Sequence, residues 1–343
     1  MNALLLAAGL GTRFLPYTKT IPKPAIPLMN VPIAFYNLHL LQQLGVDALT
    51  VNTHHLPSEI EKLFTDTQLI DVKPSFSVEK EIILGTGGAI KHARLHLEGR
   101  GTFVVANADV VNGFGIADAL EFHQSQSVKP LATLVVINHP DCGDGKKYGA
   151  IWVDGQNCVV DISKKRPAGR EDLRPLHFVG VHFIEESVFK YIPEGPCSIT
   201  EGVYLEAIKQ GETILIYEKS GLWFDAGSLK DYFEATVGIF EILPKIQHQP
   251  YFLSLFRRFW QRFDHRPNLW EGEHCEHLLS LGSNSQILMG NNCNIHPSVK
   301  VQGFAVFGDG VVIEQNAQIE NTVIASGVRI VSGMKYKNSL ILK

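Results

Sequence analysis

A chain of 343 residues, 45% of them hydrophobic, with 31 Lys+Arg against 35 Asp+Glu, is long enough for a main domain and one smaller unit. Its formal net charge of −4 excludes the basic footprint of a protein that lives on nucleic acid, though local cationic clusters can still serve a small anionic ligand. Five scattered cysteines, Cys142, Cys158, Cys197, Cys275 and Cys293, contain no CxxC pair, which argues against a disulfide scaffold and for reduced thiols in a cytoplasmic setting.

The apolar run at 3–8 lacks a preceding positive region and is too short to span a bilayer, so it reads as the first buried strand. It opens the stretch LLLAAGLGTRFLPYTKTIPKP, residues 4–24. Gly9 and Gly11 let the backbone turn tightly and aim N–H groups at an anion. Arg13 can grip a phosphate with two prongs, Lys19 and Lys23 offer point charges, and Pro22 and Pro24 are expected to hold Lys23 in an extended frame. The stretch is neither a Walker A loop, because GKS or GKT is missing, nor a dinucleotide fingerprint, because the third glycine is absent. The competing reading is a glycine-rich turn with solvated charges.

Farther along, VPIAFYNLHLLQQLG carries helical spacing through Ile33, Leu38, Leu41 and Leu44 and closes at Gly45. DALTVNTH reads as a strand; its His54 and His55 read as local packing or surface. LPSEIEKLF reads as a helix capped by Ser58, and GTGGAIKHARLHL as a helix after a glycine-rich bend. GTFVVANAD, LATLVVI, HFVGVHFI and ETILIYE complete the strands, several with apolar residues at successive positions, as burial on both faces requires. Alternating strands and helices predict an α/β layer with a mixed, mostly parallel sheet, which places ligands beyond the carboxyl ends of its strands. Asp109 follows one such strand and Asp225 lies in a glycine-flanked turn; taken alone, either is an ordinary turn carboxylate.

From Tyr232 onward the texture changes. YFLSLFRRFWQRF puts Phe252, Phe256, Phe259 and Phe263 on one stripe, with Arg257, Arg258 and Arg262 elsewhere, as for a surface helix packed on the body rather than a membrane-surface helix. HCEH, with His274, Cys275 and His277, has zinc-type donors but reads as polar surface on a helix. Met289, Ile295, Val301, Phe307, Ile313 and Ile319 then recur every six residues, and Ile324 and Ile330 resume the interval after one skipped residue. With GNN, HPS, FGDG and ASG as turns, this period predicts stacked β-helical coils, whose open end favours assembly with a body or a sister copy.

Gly11-Thr12-Arg13 followed by Pro22-Lys23-Pro24 resembles the signature of the sugar-phosphate nucleotidylyltransferases, and the resemblance covers nearly the whole chain. It implies a Rossmann-like nucleotidyltransferase domain at 1–235, a helical linker at 236–280 and a left-handed parallel β-helix at 281–343. Leu6, Ala8, Gly9, Gly11, Thr12, Gly85, Thr86 and Gly88 are implied nucleotide contacts, the last three from ILGTGGAI. FVVANADVV and GLWFDAGSLKDY imply Asp109 and Asp225 as Mg²⁺ ligands, although Ala108, Ala226 and Ser228 depart from the family pattern. Arg13 and Lys23, with Asp109, are the implied catalytic residues, Arg13 toward the β- and γ-phosphates and Lys23 toward the α-phosphate. The sugar-phosphate side falls to Gly149 and to Lys164 or Lys165 in DISKKRP, which lacks the acid of the family's E-K-P motif; taken alone, KKR is a solvated edge.

The implied reaction joins a nucleoside triphosphate to a sugar-1-phosphate with release of pyrophosphate. The implied partners are these two substrates and further copies of the chain through the β-helix, with no nucleic acid and no membrane. Tail and length favour GTP with mannose-1-phosphate; UTP, dTTP or ATP chemistry and a non-catalytic regulatory subunit are the alternatives. Retention of Arg13, Lys23, Asp109 and Asp225 together argues against the last.

Overall fold

A computed structural model describes residues 1–65, 69–260, 264–266, 268–277 and 285–342. It divides into two compact units, Met1–Ala25 with Ile33–Asp225, and Ile26–Pro32 with Ala226–Lys343.

The first unit is built on β1 (Asn2–Leu6), α1 (Ile33–Gln43), β2 (Ala48–Thr53), α2 (Pro57–Thr65), β3 (Ser75–Val78), α3 (Gly85–His92), β4 (Phe103–Asn107), β5 (Val110–Asn112), α4 (Ala117–Ser125), β6 (Ala132–Ile137), β7 (Ala150–Val153), β8 (Val159–Ser163), β9 (Arg174–Ile184), β10 (Ile214–Lys219) and β11 (Trp223–Asp225). A nine-stranded sheet runs β8-β7-β9-β4-β1-β2-β3, with β6 bridging β9 and β10. β1, β2, β3 and β4 are mutually parallel, as are β6 and β10, while β9 runs antiparallel to β4, β6 and β7. Leu4 pairs with both Thr50 and Val105, so the first strand lies at the centre and is covered on both faces, which is why 3–8 reads as one apolar run.

This order decides where chemistry collects. Parallel neighbours end at one edge, and the loops leaving β1, β2, β3 and β4 carry Ala7 to Gly11, His54 and His55, Glu79, and Asp109 respectively. In β9, Gly180 has φ +80° where the β9–β6 register shifts, and a Cβ there would lie 2.9 Å from Asn107 Nδ2, so the bend beside the end of β4 needs glycine. Two local expectations are corrected. α2 begins at Pro57, a favoured first helical residue, so Ser58 lies inside the first turn rather than capping it. GTGG does not precede α3 but forms its first turn.

In the second unit, α5 (Leu229–Ile242) starts at Ser228, whose Oγ accepts from Asp231 N at 3.2 Å. This helix spans the boundary expected at 235. In α6 (Pro250–Phe259) the buried face is Tyr251, Phe252, Leu255 and Phe256, with Phe259 half-buried; Arg262 and Phe263 lie outside the described residues. Leu269–Glu271 already pairs in parallel with Gln286–Met289, so the coils begin before the expected 281, a position outside the described residues.

Partners Leu269, Ile287 and Ala305 stand 18 residues apart, three six-residue intervals to one coil. The skipped residue is visible as well. Gln302 pairs with Glu320, 18 residues on, but Ala305 pairs with Thr322, 17 on, with Gly303 at φ +66° between them. Met289, Ile295, Phe307, Ile313, Ile319, Ile324 and Ile330 share one core, with Val301 partly buried against it. HCEH lies on a coil turn and a short strand, not a helix: Cys275 packs on the coil core, His277 Nε2 meets Glu271 Oε2 at 2.6 Å, and His274 is exposed. No grouping of three or more metal-type side chains occurs among the described residues, and no helix among them is long and apolar enough to cross a membrane.

Candidate active site

The glycine loop closes on itself. Gly11 sits at φ +62°, and a Cβ there would lie 2.8 Å from Thr18 Cγ2 and 3.3 Å from Lys23 Cβ. Thr18 Oγ1 donates to Gly11 O at 2.9 Å, and His55 Nε2 donates to Thr18 O at 2.5 Å. Only glycine satisfies both the left-handed backbone and the close approach. Gly9 is different: it is exposed, and nothing lies within 4 Å of its Cβ position. Thr12 and Arg13 stand exposed on the short 3-10 turn Thr12–Phe14, and Arg13 makes no ion pair among the described residues. Leu6 is half-buried and Ala8 buried beneath the loop.

Lys23 is not held in an extended frame. It opens a 3-10 turn, Lys23–Ala25, in which Ala25 N donates to Pro22 O at 2.8 Å. The turn sinks the side chain, which runs over the Phe14 ring and delivers Nζ to Asp109 Oδ2 at 2.9 Å and to Asp109 O at 3.2 Å. Lys19 stays exposed.

Asp109 sits on the turn between β4 and β5, and this turn is held from two sides. Ala108 N donates to Leu6 O at 3.0 Å, and Asn37 Nδ2 of α1 donates to Asn107 O at 2.6 Å and Val110 O at 3.3 Å. Asn37 was not singled out in the sequence; its only sign is an amide on the apolar side of a helix, where a polar group must find partners. β5 then pairs antiparallel with β11, with Val110 opposite Asp225. Asp225 thus lies on β11 opposite the residue that follows Asp109, which brings the backbones of two aspartates 116 residues apart in the chain close together.

GTGG meets the segment at 195–199 rather than open space. A Cβ on Gly85, at φ +68°, would lie 2.7 Å from Cys197 O, and one on Gly88 2.7 Å from Gly195 O. Thr86 Oγ1 accepts from Ile199 N at 2.9 Å. Gly88 is buried while Gly85 is exposed, so the two glycines differ in what they can offer a ligand.

Gly149 leads into β7 and Lys164 follows β8; the Gly149 Cβ position lies 3.6 Å from Lys164 Cγ. Lys165 contributes its carbonyl, which accepts from Ser163 Oγ at 2.6 Å. The structure therefore brings Lys164 against Gly149 by its side chain. A cluster of rings that sequence reasoning missed borders this corner: His177 lies 4.3 Å from Trp223 and 4.7 Å from Tyr148 by ring centroids, with His139 at 5.6 Å. The buried nitrogens of His177 and the indole N–H of Trp223 have no hydrogen-bond partner among the described residues. Burial, with His139 alongside, pushes the His177 pKa down to about 4, so the ring is neutral at pH 7. The one hint in the sequence is a histidine interrupting the apolar run of β9.

Comparison with known proteins adds a frame. A family model described as nucleotidyl transferase matches residues 2–241. A Synechocystis protein named UTP–glucose-1-phosphate uridylyltransferase is 27% identical over 352 residues, covering 99% of this chain and 87% of that one. A Mycobacterium tuberculosis protein named mannose-1-phosphate guanylyltransferase is 27% identical, covering 97% and 82%. Among solved structures, a UTP-bound UGPase from Acinetobacter baumannii matches with a TM-score of 0.59 at 22% identity, over 74% of this chain and 98% of that one, which speaks to fold.

Proposed function

Because the chain belongs to the nucleotidyl transferase family, we propose that it transfers a nucleotidyl group from a nucleoside triphosphate to a sugar-1-phosphate, releasing pyrophosphate. The observation that carries this reading is the convergence of Lys23, Asp109 and Asp225 beside the glycine loop at the carboxyl edge of the sheet.

A sugar phosphate is already ionised near neutral pH, so the site's task is to gather several negative charges and align them, rather than to remove a proton. In this reading the free N–H groups around Gly9 and Gly11, with Leu6, Ala8 and Thr12, line the triphosphate, and exposed Arg13 grips its β- and γ-phosphates. Lys23 stands where charge rises at the α-phosphorus. Gly85 and Thr86 present backbone toward the base, and Gly88 serves by letting α3 dock. Lys164, with Gly149, grips the sugar phosphate. The rings of His177 and Trp223, packed on Tyr148 next to Gly149, stand as a wall beside the sugar.

The donor set also suits a hard cation. Asp109 keeps its side chain 45% exposed although one oxygen meets Lys23, and Asp225 lies on β11 opposite the residue after Asp109; in this reading the two carboxylates hold the cation, and phosphate and water oxygens complete its shell. A bound Mg²⁺ would supply neutralisation of the triphosphate and of the departing pyrophosphate.

GTP with mannose-1-phosphate is our first pairing, supported by the mycobacterial relative over nearly the full chain. UTP with glucose-1-phosphate is the second, supported by the Synechocystis relative at the same identity. Self-association through the coils and a cytoplasmic setting belong to the same reading. Pyrophosphate release from a panel of nucleoside triphosphates and sugar-1-phosphates with Mg²⁺ tests it; ligand binding without turnover of any pair would favour a regulatory subunit instead.

A further inference from the structure

Glu79 is an acid that the reaction above does not use, yet it is 3% exposed and both carboxylate oxygens are engaged. It follows β3, where Glu79 N donates to Thr53 O at 2.8 Å and His54 Nδ1 donates to Glu79 O at 2.7 Å, so its backbone is pinned to the end of β2. Leu84 N, just before GTGG, donates to Oε2 at 2.7 Å. Asn52 Nδ2 donates to Oε1 at 2.7 Å, and the same amide, through Oδ1, accepts from Ala7 N at 2.6 Å.

Ala7 opens the glycine loop and Leu84 opens GTGG. A relay of two buried side chains therefore joins the backbones of two loops 77 residues apart in sequence. Its polarity is set at both ends, because a backbone N–H can only donate. Asn52 must turn its oxygen to Ala7 and its NH₂ to Glu79, and Glu79 must accept on both sides. Burying a carboxylate is costly unless it is fully hydrogen-bonded, and here each bond holds an element flanking the glycine edge.

We propose that Glu79 is a positioning residue for the nucleotide: acting through Asn52, it fixes the glycine loop and the GTGG turn at one spacing, so that a nucleoside triphosphate meets both together. This rests on the reading that these two loops hold the nucleotide.

Donor–acceptor polarity supplies the test. Glu79→Gln can accept on one side only, so one link is lost. Asn52→Asp sets two carboxylates against each other. The double variant N52D/E79Q reverses the middle bond, with the glutamine amide donating to the aspartate. Ala7 N and Leu84 N again both find acceptors, and the buried charge is unchanged in number. The readouts are KM for the nucleoside triphosphate and for the sugar-1-phosphate by pyrophosphate release, and backbone amide exchange of residues 7–15 and 84–92 in the ligand-free protein.

Glu79→Gln should raise the nucleotide KM about tenfold, the size of one lost hydrogen bond to a charged group, with the sugar-phosphate KM within about twofold. It should speed exchange in both loops, and the double variant should recover most of each effect. The proposal is overturned if both KM values rise in step, if exchange quickens only at 84–92, or if the double variant is no better than Glu79→Gln. If wild-type protein turns over no pair, the reading of the loops as a nucleotide site fails, while the exchange data still decide whether the relay couples them.

Discussion

Lys23 Nζ meets Asp109 Oδ2 at 2.9 Å, the lysine side chain 6% exposed and the aspartate side chain 45% exposed. The cation is thus set in the protein and the anion open to solvent, on the turn that follows β4 at the carboxyl edge of the sheet. Lys23→Met preserves the stem that packs by Phe14 and removes the charge. Turnover should fall about 30- to 1000-fold, the range for removing one donor to developing charge. Melting temperature should change little, because the stranded carboxylate can be solvated. A loss of turnover below about threefold would take Lys23 out of the reaction.

Asp225→Asn is expected to leave the fold intact and to raise the Mg²⁺ concentration for half-maximal turnover about tenfold or more, since one hard anionic ligand is exchanged for a neutral one. Asp109→Asn should do the same and in addition weaken the grip on Lys23. Mg²⁺ titrations of turnover, with circular dichroism as the control for folding, check both; an unchanged titration removes that aspartate from the metal site.

The two glycines of the opening loop should separate cleanly. Gly11→Ala forces a left-handed alanine, a cost of roughly 1–2 kcal/mol before the contact with Thr18 is counted, and should lower stability as measured by denaturant unfolding. Gly9→Ala should change stability by under about 0.5 kcal/mol, since nothing lies near its Cβ position, yet raise the nucleotide KM if a phosphate approaches there. Equal effects of the two substitutions on stability would contradict the loop geometry.

Stability should depend on pH through two buried histidines. Burial lowers the pKa of His177 to about 4 and that of His182, whose Nδ1 is hydrogen-bonded with Tyr204 OH, to about 3. Between these values and the ordinary 6.5 the unfolded chain binds more protons than the folded one, so stability is complete above about pH 6.5 and falls as pH drops toward 4, then 3. For His177 the loss is on the order of 3 kcal/mol. His177→Phe fits the ring cluster and gives up no hydrogen bond; it should flatten part of the acid limb in thermal melts at pH 4 to 7. Melts that keep the wild-type slope would show that His177 titrates normally.

Much of the fold was legible because its signals are local. A strand buried on both faces must be apolar along its length, as in LLLAA and TFVVAN, and a coil turning every six residues must repeat its inward side chain at that interval. The skipped residue before Ile324 shows in the sequence as a broken period and in the structure as the register change at Gly303. The opening loop was legible too, since positive φ at Gly11 leaves glycine as its trace. The expectations at Ser58 and GTGG missed a helix start, a local matter; the others concern relations between segments. The 3-10 turn at Lys23 hands its side chain to Asp109, a partner 86 residues on, and the helical reading of HCEH failed because Glu276–His277 pairs with Asn294–Ile295 in the neighbouring coil.

By itself the sequence determined the α/β and coil periodicities and the glycine loop, because each leaves its mark within a few residues, whereas the cations and carboxylates became candidates for one site only through the resemblance of their motifs to a family. Only the tertiary structure decided that Lys164 rather than Lys165 turns to Gly149, that rings from three separate segments make one wall, and that Asn52 and Glu79 link two loops. Strand order and register bring these groups together, and no local pattern encodes the donor and acceptor that a buried side chain will meet once the sheet has formed.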